Sequence, residues 1–200
     1  MKIKTLKTVL LFGVAALIMA FDLPTGWFKA GDKPNSYDMG IDKGAGRDGK
    51  NAATIKSIEK NIKGFGTLMQ NCLPGKFLGK RVRMAGYMKT KDVTGWAAFW
   101  LRIDTKEKEN NMPFDDMHGS KNDRSVKGTT DWARYEIVLD VPLSAEQFAY
   151  GALLNGTGQL WFDDITFEIV DNTVKTTGFT VAASEPPVIP GEPVNLDFEK

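Results

Sequence analysis

The stretch GWAAFWLRID, residues 95–104, decides the fold because its apolar side chains recur at every second position. Successive side chains of a β-strand point to opposite faces, whereas an amphipathic helix repeats every three or four residues. One face of the predicted strand carries the apolar set Ala97, Phe99, Leu101 and Ile103. The other face carries Trp96, Ala98, Trp100, Arg102 and Asp104. The first set is typical of a core, and the second needs another explanation.

Similar alternation is found on both sides of this stretch. The segments RVRMAGYMKT (81–90), DWARYEIVLDVP (131–142) and GQLWFDDITFEIV (158–170) have a period of two, and the Asn155–Gly158 segment predicts a hairpin turn. Residues 48–60 fit a helix or a strand equally well. Roughly nine or ten short strands without a convincing long helix predict an all-β chain, folded as an antiparallel two-sheet β-sandwich of the jelly-roll kind.

Composition sets the broad class of the protein. A chain of 200 residues is long enough to bury a core as one domain, and its net charge of +1 gives no basic footprint for nucleic acid. The single cysteine, Cys72, excludes an internal disulfide.

The two ends of the chain differ in composition from the middle. Residues 1–20 contain three lysines and then an apolar run, which predicts a signal peptide or N-terminal anchor and export to the periplasm or the extracellular space. A membrane contact is expected only through that segment if it stays uncleaved. Residues 21–170 are predicted to form the sandwich, and residues 171–193 a Pro-rich linker or surface wrap. Residues 194–200 alternate again and predict a last strand.

Three segments together resemble a known class of domain: residues 79–104, residues 128–142, and GTGQLWFDDITFEIVD (156–171). Their order and spacing resemble galactose-binding-like β-sandwich domains of the carbohydrate-binding-module type, found in exported bacterial proteins. Such domains usually open with an N-x-x-F-E strand, which here is replaced by NLDFEK at residues 195–200. The resemblance therefore implies that the C-terminal strand takes the place of the usual first strand. The alternative is a tail outside the fold or the start of a further domain.

The resemblance also implies a structural calcium ion. Carried over by motif, its carboxylate ligands would be Glu199 and Asp164. Calcium takes six to eight oxygen ligands, so backbone carbonyls near Gly49 and Lys50 would have to contribute. The alternative for Asp164 is a solvated carboxylate on a strand face.

The candidate ligand-binding residues follow from a predicted hairpin. If residues 81–89 pair with the Trp96 strand through a turn at residues 92–95, then Lys89 lies near Trp96, and Arg83 lies near Arg102. Trp96 and Trp100 stand ~13–14 Å apart along a strand, a spacing that suits stacking on successive sugar rings. The predicted ligand-binding set is Trp96, Trp100, Tyr87, Arg83, Arg102 and Asp104. The alternative is that the loop 105–130 or the C-terminal wrap covers this face as a second small core.

The other tryptophans, Trp27, Trp132 and Trp161, are predicted to serve packing, and Trp161 is in phase with core positions such as Phe167. In the long polar loop, Asp115, Asp116 and His118 are interpreted mainly as solvated loop residues, with ligand contact as the alternative.

Catalysis is not expected. The paired acids Asp115-Asp116 and Asp163-Asp164 are sequence neighbours, whereas glycoside hydrolysis needs two carboxylates that face each other across a cleft. Motifs for a nucleophile–base pair, a metal hydrolase or a phosphate loop are missing from the sequence. We therefore predict a non-catalytic exported binding module for a carbohydrate or a similar cell-surface ligand. The alternative is a structural or protein-interaction domain whose aromatic face docks onto a partner domain or protomer.

Overall fold

The structure is a computed structural model that describes residues 20–106, 112–119 and 122–179. Two short 3-10 turns, Pro34–Ser36 and Gly75–Phe77, are the helical elements of these residues. None of them forms a helix long and apolar enough to cross a membrane. The strands are β1 (Phe28–Gly31), β2 (Tyr37–Asp42), β3 (Ala52–Ser57), β4 (Phe65–Cys72), β5 (Arg81–Thr105), β6 (Phe114–Asp115), β7 (Val126–Asp140), β8 (Ala145–Asn155) and β9 (Gln159–Val170).

The strands form two layers that share one long strand, β5. Its second half (residues 96–105) pairs with β8, and β4 and β1 follow outward; we call this layer, together with β6, the front sheet. Its first half (residues 81–91) lies between β7 and β9, and β3 and β2 follow; this layer is the back sheet. Every pairing is antiparallel. The predicted all-β antiparallel sandwich is confirmed.

The predicted hairpin within residues 81–105 is wrong. The two halves of β5 do not pair with each other: Lys89 lies opposite Trp161 on β9, and Trp96 lies opposite Asn155 on β8. The chain does not reverse at the expected turn: Asp92 takes a φ of +53°, and the register against β7 shifts between Met88 and Ala97, but the strand continues to Thr105. Such irregularities bend a strand strongly, so β5 passes from the back sheet into the front sheet instead of reversing.

The core between the sheets contains the alternating residues that the sequence predicts. Phe99, Leu101 and Ile103 on the second half of β5 are at most 1% exposed. Met84 and Met88 on the first half are buried with them, in one continuous cluster. Since both halves of β5 bury one side of the strand in this cluster, their other sides form the two outer faces of the sandwich.

The phase predicted for β9 is wrong at Trp161. Leu160 and Phe162 are buried, so Trp161 points to the outer face of the back sheet, where its Nε1 donates to Asp42 Oδ2 at 2.7 Å. Asp164 has a φ of +53°, and the register against β5 shifts nearby. The bulge moves Phe167 onto the core side, although it shares odd-numbered spacing with Trp161.

Residues 171–179 leave β9 and return to the edge of β7: Arg81 donates to the carbonyls of Asn172 and Val174, and Thr177 then lies beside β7. Thr177 exchanges hydrogen bonds with Val138, its N–H donating to the Val138 carbonyl at 2.9 Å. Phe179 then bridges to Phe114 on β6. The predicted segment 171–193 is thus described up to residue 179. Three predictions concern residues that the structure does not describe, and they stay predictions. They are the signal peptide or anchor (residues 1–20, of which only residue 20 is described), the C-terminal strand (194–200) and Glu199.

Candidate ligand-binding face

A groove of about 440 Å³ lies on the outer face of the front sheet. The antiparallel register builds it in rows: Phe65, Asn155 and Trp96 form one row, and Thr67, Leu153 and Ala98 form the next. The complete lining is Ala30, Gly31, Phe65, Thr67, Met69, Trp96, Trp100, Arg102, Phe114, Asp116 and Leu153. The outer side of the opening stretch therefore faces a concave surface.

Trp100 forms part of the groove floor rather than a free-standing platform. Trp100 is only 8% exposed, and its Nε1 donates to Thr67 Oγ1 at 2.8 Å. It packs with Met69 and Leu153 in a small cluster that is separate from the main core. The residue opposite Trp100 on β8 is Gly151, which has no side chain to hold the indole away from the sheet. Trp100 is thus buried by residues of β4 and β8 in its own sheet, and this cluster contains no residue of the loop 105–130, which the predicted alternative placed over it. Among the described residues the groove above it is open.

Trp96 is half-buried and is covered on one ring face by His118. The two rings are stacked, with centroids 4.2 Å apart and 6° between their planes. The His118 backbone N–H donates to Asp116 Oδ1 at 3.0 Å. Asp123 lies with Oδ1 3.6 Å from His118 Nδ1, and hydrogen bonds from the Ser125 hydroxyl and the Lys127 ammonium hold its pKa well below the usual range. The Trp96–His118 pair is therefore fixed beside an anionic carboxylate at one end of the groove.

Three contacts around the buried Asp115 carboxylate hold the His118 loop in place. Asp115 is 7% exposed and forms an ion pair with Arg124. The other Asp115 oxygen accepts the Met117 backbone N–H at 2.7 Å, and Arg124 Nη1 donates to the Glu136 carbonyl at 2.7 Å. The interpretation of Asp115 as a solvated loop residue is wrong. Its role is to tie the loop to the front and back sheets through Arg124.

Arg102 and Asp104 form an oriented pair at the other end of the groove. Arg102 Nε donates to Asp104 Oδ1 at 2.6 Å, and Nη2 donates to Oδ2 at 3.1 Å. Gln147 Nε2 also donates to Asp104, at 3.3 Å. Because the carboxylate engages two of the five guanidinium N–H donors, it fixes the plane of Arg102, whose side chain is 42% exposed. Arg102 lines the groove, and Asp104 positions it.

Tyr87 and Arg83 lie on the back sheet, away from the other four predicted ligand-binding residues. The Arg47 guanidinium lies 3.3 Å from the centroid of the Tyr87 ring. Arg83 forms ion pairs with Glu168 at 2.8 Å and with Glu136 at 3.3 Å. The sequence predicts them beside the tryptophans only through the hairpin, so the prediction fails for both residues where β5 crosses between the sheets.

Several groove residues were not found from the sequence. Phe65, Thr67 and Met69 occupy one side of β4, and Leu153 faces them from β8. Phe114, which is 39% exposed, lies opposite Arg102 on β6. The period of two in residues 65–69 is the signal that marks the β4 residues as one face, but the strand order that places them beside Trp100 is not written in the sequence.

The predicted calcium site stays a prediction, because only one of its two carboxylate ligands, Asp164, lies among the described residues. Asp164 Oδ2 accepts a hydrogen bond from Arg47 Nη1 at 2.8 Å, so a guanidinium occupies the position of a cation. The Lys50 carbonyl, which would have to contribute, accepts the Gly46 N–H at 2.9 Å. The described part of the chain contains no group of three or more His, Cys, Asp or Glu residues that could hold a metal ion. The second predicted ligand, Glu199, lies outside it.

Comparisons with known proteins place this geometry in context. No protein-family model matches the chain. Among curated proteins, the chain is 38% identical over 176 residues to the uncharacterized HTH-type transcriptional regulator YbfP of Bacillus subtilis (strain 168). The match covers 88% of this chain and 57% of that protein, so the chain spans little more than half the length of the curated relative.

Solved structures show the fold. The chain matches the CBM22-1 xylan-binding domain of Xyn10C from Paenibacillus barcinonensis with a TM-score of 0.52 and 11% identity, covering 74% of this chain and 88% of that one. It matches the CBM22-1–GH10 modules of Clostridium thermocellum xylanase 10B, complexed with xylohexaose, with a TM-score of 0.52 and 16% identity, covering 76% and 27%. The chain therefore shares the antiparallel β-sandwich fold of these carbohydrate-binding modules, the fold that the sequence resemblance predicts.

Proposed function

We propose that this chain is an exported, non-catalytic module that binds carbohydrate in the groove of the front sheet. The observation that carries the proposal is the composition of that groove. An apolar floor of Trp100, Met69 and Leu153 lies between aromatic side chains at one end and an oriented guanidinium at the other. Sugar rings offer apolar C–H faces to such a floor and hydroxyl groups to such donors.

The groove residues divide the work of binding. The floor and the exposed ring of Phe114 supply apolar contact, and the Trp96–His118 pair supplies an aromatic wall. Arg102 and Asp116 supply a planar donor and a charged acceptor for hydroxyl groups. From Trp96 to Arg102 the strand extends ~20 Å at ~3.4 Å per residue, so the groove suits a chain of several sugar units rather than a single monosaccharide.

The first ligands to test are neutral β-linked oligosaccharides. The two fold neighbours are named for xylan binding or were solved with xylohexaose, and we extend that class to this chain as a proposal. The described residues bring an oriented arginine and an acidic group to the groove but leave its floor uncharged. A neutral chain with apolar ring faces fits this arrangement better than a highly charged one.

The test is calorimetric binding of xylohexaose and related hexasaccharides to the full chain and to matched variants. Trp96→Ala and Arg102→Gln should each weaken binding by roughly tenfold, which corresponds to ~1.4 kcal/mol. Trp132→Ala, which removes an aromatic ring from the back sheet, is the control and should leave this binding unchanged. Equal affinity in all three variants would contradict the proposal.

A second candidate function is docking of the same face onto another domain. The observation that favours it is the length of the curated relative. The matching region covers only 57% of that protein, so further chain lies beside it there. Apolar surface in the groove would then be covered by a partner. Light scattering over a range of concentrations tests one form of this candidate. Self-association that Phe114→Ser abolishes supports docking, whereas a monomer that binds a hexasaccharide supports carbohydrate recognition.

A further inference from the structure

The outer face of the back sheet carries a second set of aromatic rings. The register places Thr54, Trp161 and Lys89 in one row across β3, β9 and β5, and the Trp132 ring on β7 lies beside Lys89. Trp161 and Trp132 are therefore two strands apart, a separation of ~9–10 Å. Both are partly exposed. None of these residues takes part in the front groove.

Lys89 lies between the two indole rings. Its Nζ is 4.8 Å from the Trp161 centroid and 5.0 Å from the Trp132 centroid, which are distances of cation–π contact. The ammonium also donates to the Ala45 carbonyl at 3.2 Å. An ammonium has three donors, so the contacts seen among the described residues leave capacity for an anion. The two rings hold that charge in one place on the face.

The neighbouring row adds more positive charge. Lys56 and Lys91 flank Gln159 in register, and both are exposed. Within the described ranges, neither lysine forms an ion pair. Two carboxylates lie nearby: Asp42 accepts from Trp161 Nε1, and Asp163 accepts from the Asp164 N–H at 2.8 Å. Both donors are uncharged, so each carboxylate keeps its negative charge, and the three lysines outnumber them.

We propose that this face is a second binding site, specific for acidic polysaccharides that contain uronate residues. A pyranose ring would stack on Trp132 or Trp161, and its carboxylate would approach the Lys89 ammonium held between them. Lys56 and Lys91 would meet further carboxylates along the chain. A neutral glycan would leave the three lysines without a counter-charge, so the site discriminates by charge, in contrast to the uncharged floor of the front groove.

The test uses polygalacturonate, its methyl-esterified form and a DNA single strand as probes, with affinity electrophoresis of the full chain at two salt concentrations. Native protein should bind polygalacturonate and should bind the esterified form at least tenfold more weakly. Lys89→Met, which keeps the apolar stem, and Trp132→Ala should each weaken binding roughly tenfold. Trp96→Ala in the front groove is the matched control and should bind like the native protein.

Each other outcome overturns the site. No binding of polygalacturonate, or equal binding by Lys89→Met, excludes a role for the Lys89 ammonium that lies between the two indole rings. Loss through Trp96→Ala alone assigns the polyuronate to the front groove. Equal retardation by the DNA strand shows a general polyanion contact only. Because the front groove is tested with neutral hexasaccharides, failure of the carbohydrate proposal there and failure of this site give different results.

Discussion

The front and back sheets both direct tryptophans outward, yet the two faces are chemically different. On the front sheet, Trp100 packs against small and apolar neighbours, and its indole N–H donates a hydrogen bond to Thr67. On the back sheet, Trp161 and Trp132 stand on either side of Lys89. The alternating pattern is the same in both cases. The residues on the neighbouring strands decide whether an outward tryptophan forms the floor of a groove or a cation–π contact with a lysine.

The largest difference between the faces is expected in stability. Trp100→Ala should destabilise the protein by ~3 kcal/mol, because it removes a buried ring and leaves a cavity. Trp132→Ala, on the back sheet, should cost less than ~1 kcal/mol because its ring is partly exposed and contacts Lys89 rather than a core. Urea unfolding of both variants measures the two values. Equal losses would mean that the two faces do not differ as described.

A second contrast concerns the ion pairs of the two faces. Asp115→Ala removes the partner of Arg124 at a buried position, so we expect a loss of ~2 kcal/mol and release of His118 from Trp96. Glu168→Gln removes an exposed partner of Arg83 on the back sheet and should cost at most ~0.5 kcal/mol. Thermal unfolding gives the stabilities, and tryptophan fluorescence reports the His118 contact. An unchanged fluorescence spectrum in Asp115→Ala would show that the Asp115–Arg124 contact does not hold His118 against Trp96.

The smallest loss from a buried contact is expected where the two sheets meet. Tyr37 on β2 donates its hydroxyl to the Gly156 carbonyl at 2.8 Å, in the turn that joins β8 to β9. Burial raises the pKa of Tyr37 to about 12. An unfolded tyrosine ionises near pH 10, so the unfolded state loses this proton first, and stability falls as the pH rises from about 10 to about 12.

Tyr37→Phe tests this assignment. The variant should be ~1 kcal/mol less stable at neutral pH, since one buried hydrogen bond is lost. Its unfolding free energy should then decline less steeply than that of the native protein between pH 10 and pH 12. Parallel pH profiles for the two proteins would show that Tyr37 does not carry the dependence.

The sequence predicted the faces of individual strands well and their neighbours poorly. Alternation assigned Phe99 and Leu101 to the core and Trp100 to the outer face, because side-chain direction is a local property of a strand. Whether Asp92–Gly95 reverses the chain or lets it pass to the other sheet depends on pairing with distant strands. That choice separated Tyr87 and Arg83 from the groove.

The place of the remaining site residues could not be predicted from the sequence either, because long-range contacts determine it. Asp115 looks like part of a solvated loop until Arg124 is placed beside it. Phe65 and Leu153 meet Trp100 only through the order β4, β8 and β5, which residues far apart in sequence determine. The bulge at Asp164 shifts the alternation of side chains in β9 by one residue. The sequence analysis missed this shift because counting alternating positions does not detect one residue in the left-handed region.

The most direct test is a two-dimensional spectrum of the tryptophan indole N–H groups during titration with neutral β-linked hexasaccharides, xylohexaose first. The chain has five tryptophans, so each face reports through its own signals. We expect the Trp96 and Trp100 signals to move with saturable dependence on the sugar, while those of Trp27, Trp132 and Trp161 stay in place. Movement of the back-sheet signals alone, or five unmoved signals throughout the series, would contradict carbohydrate binding in the front groove.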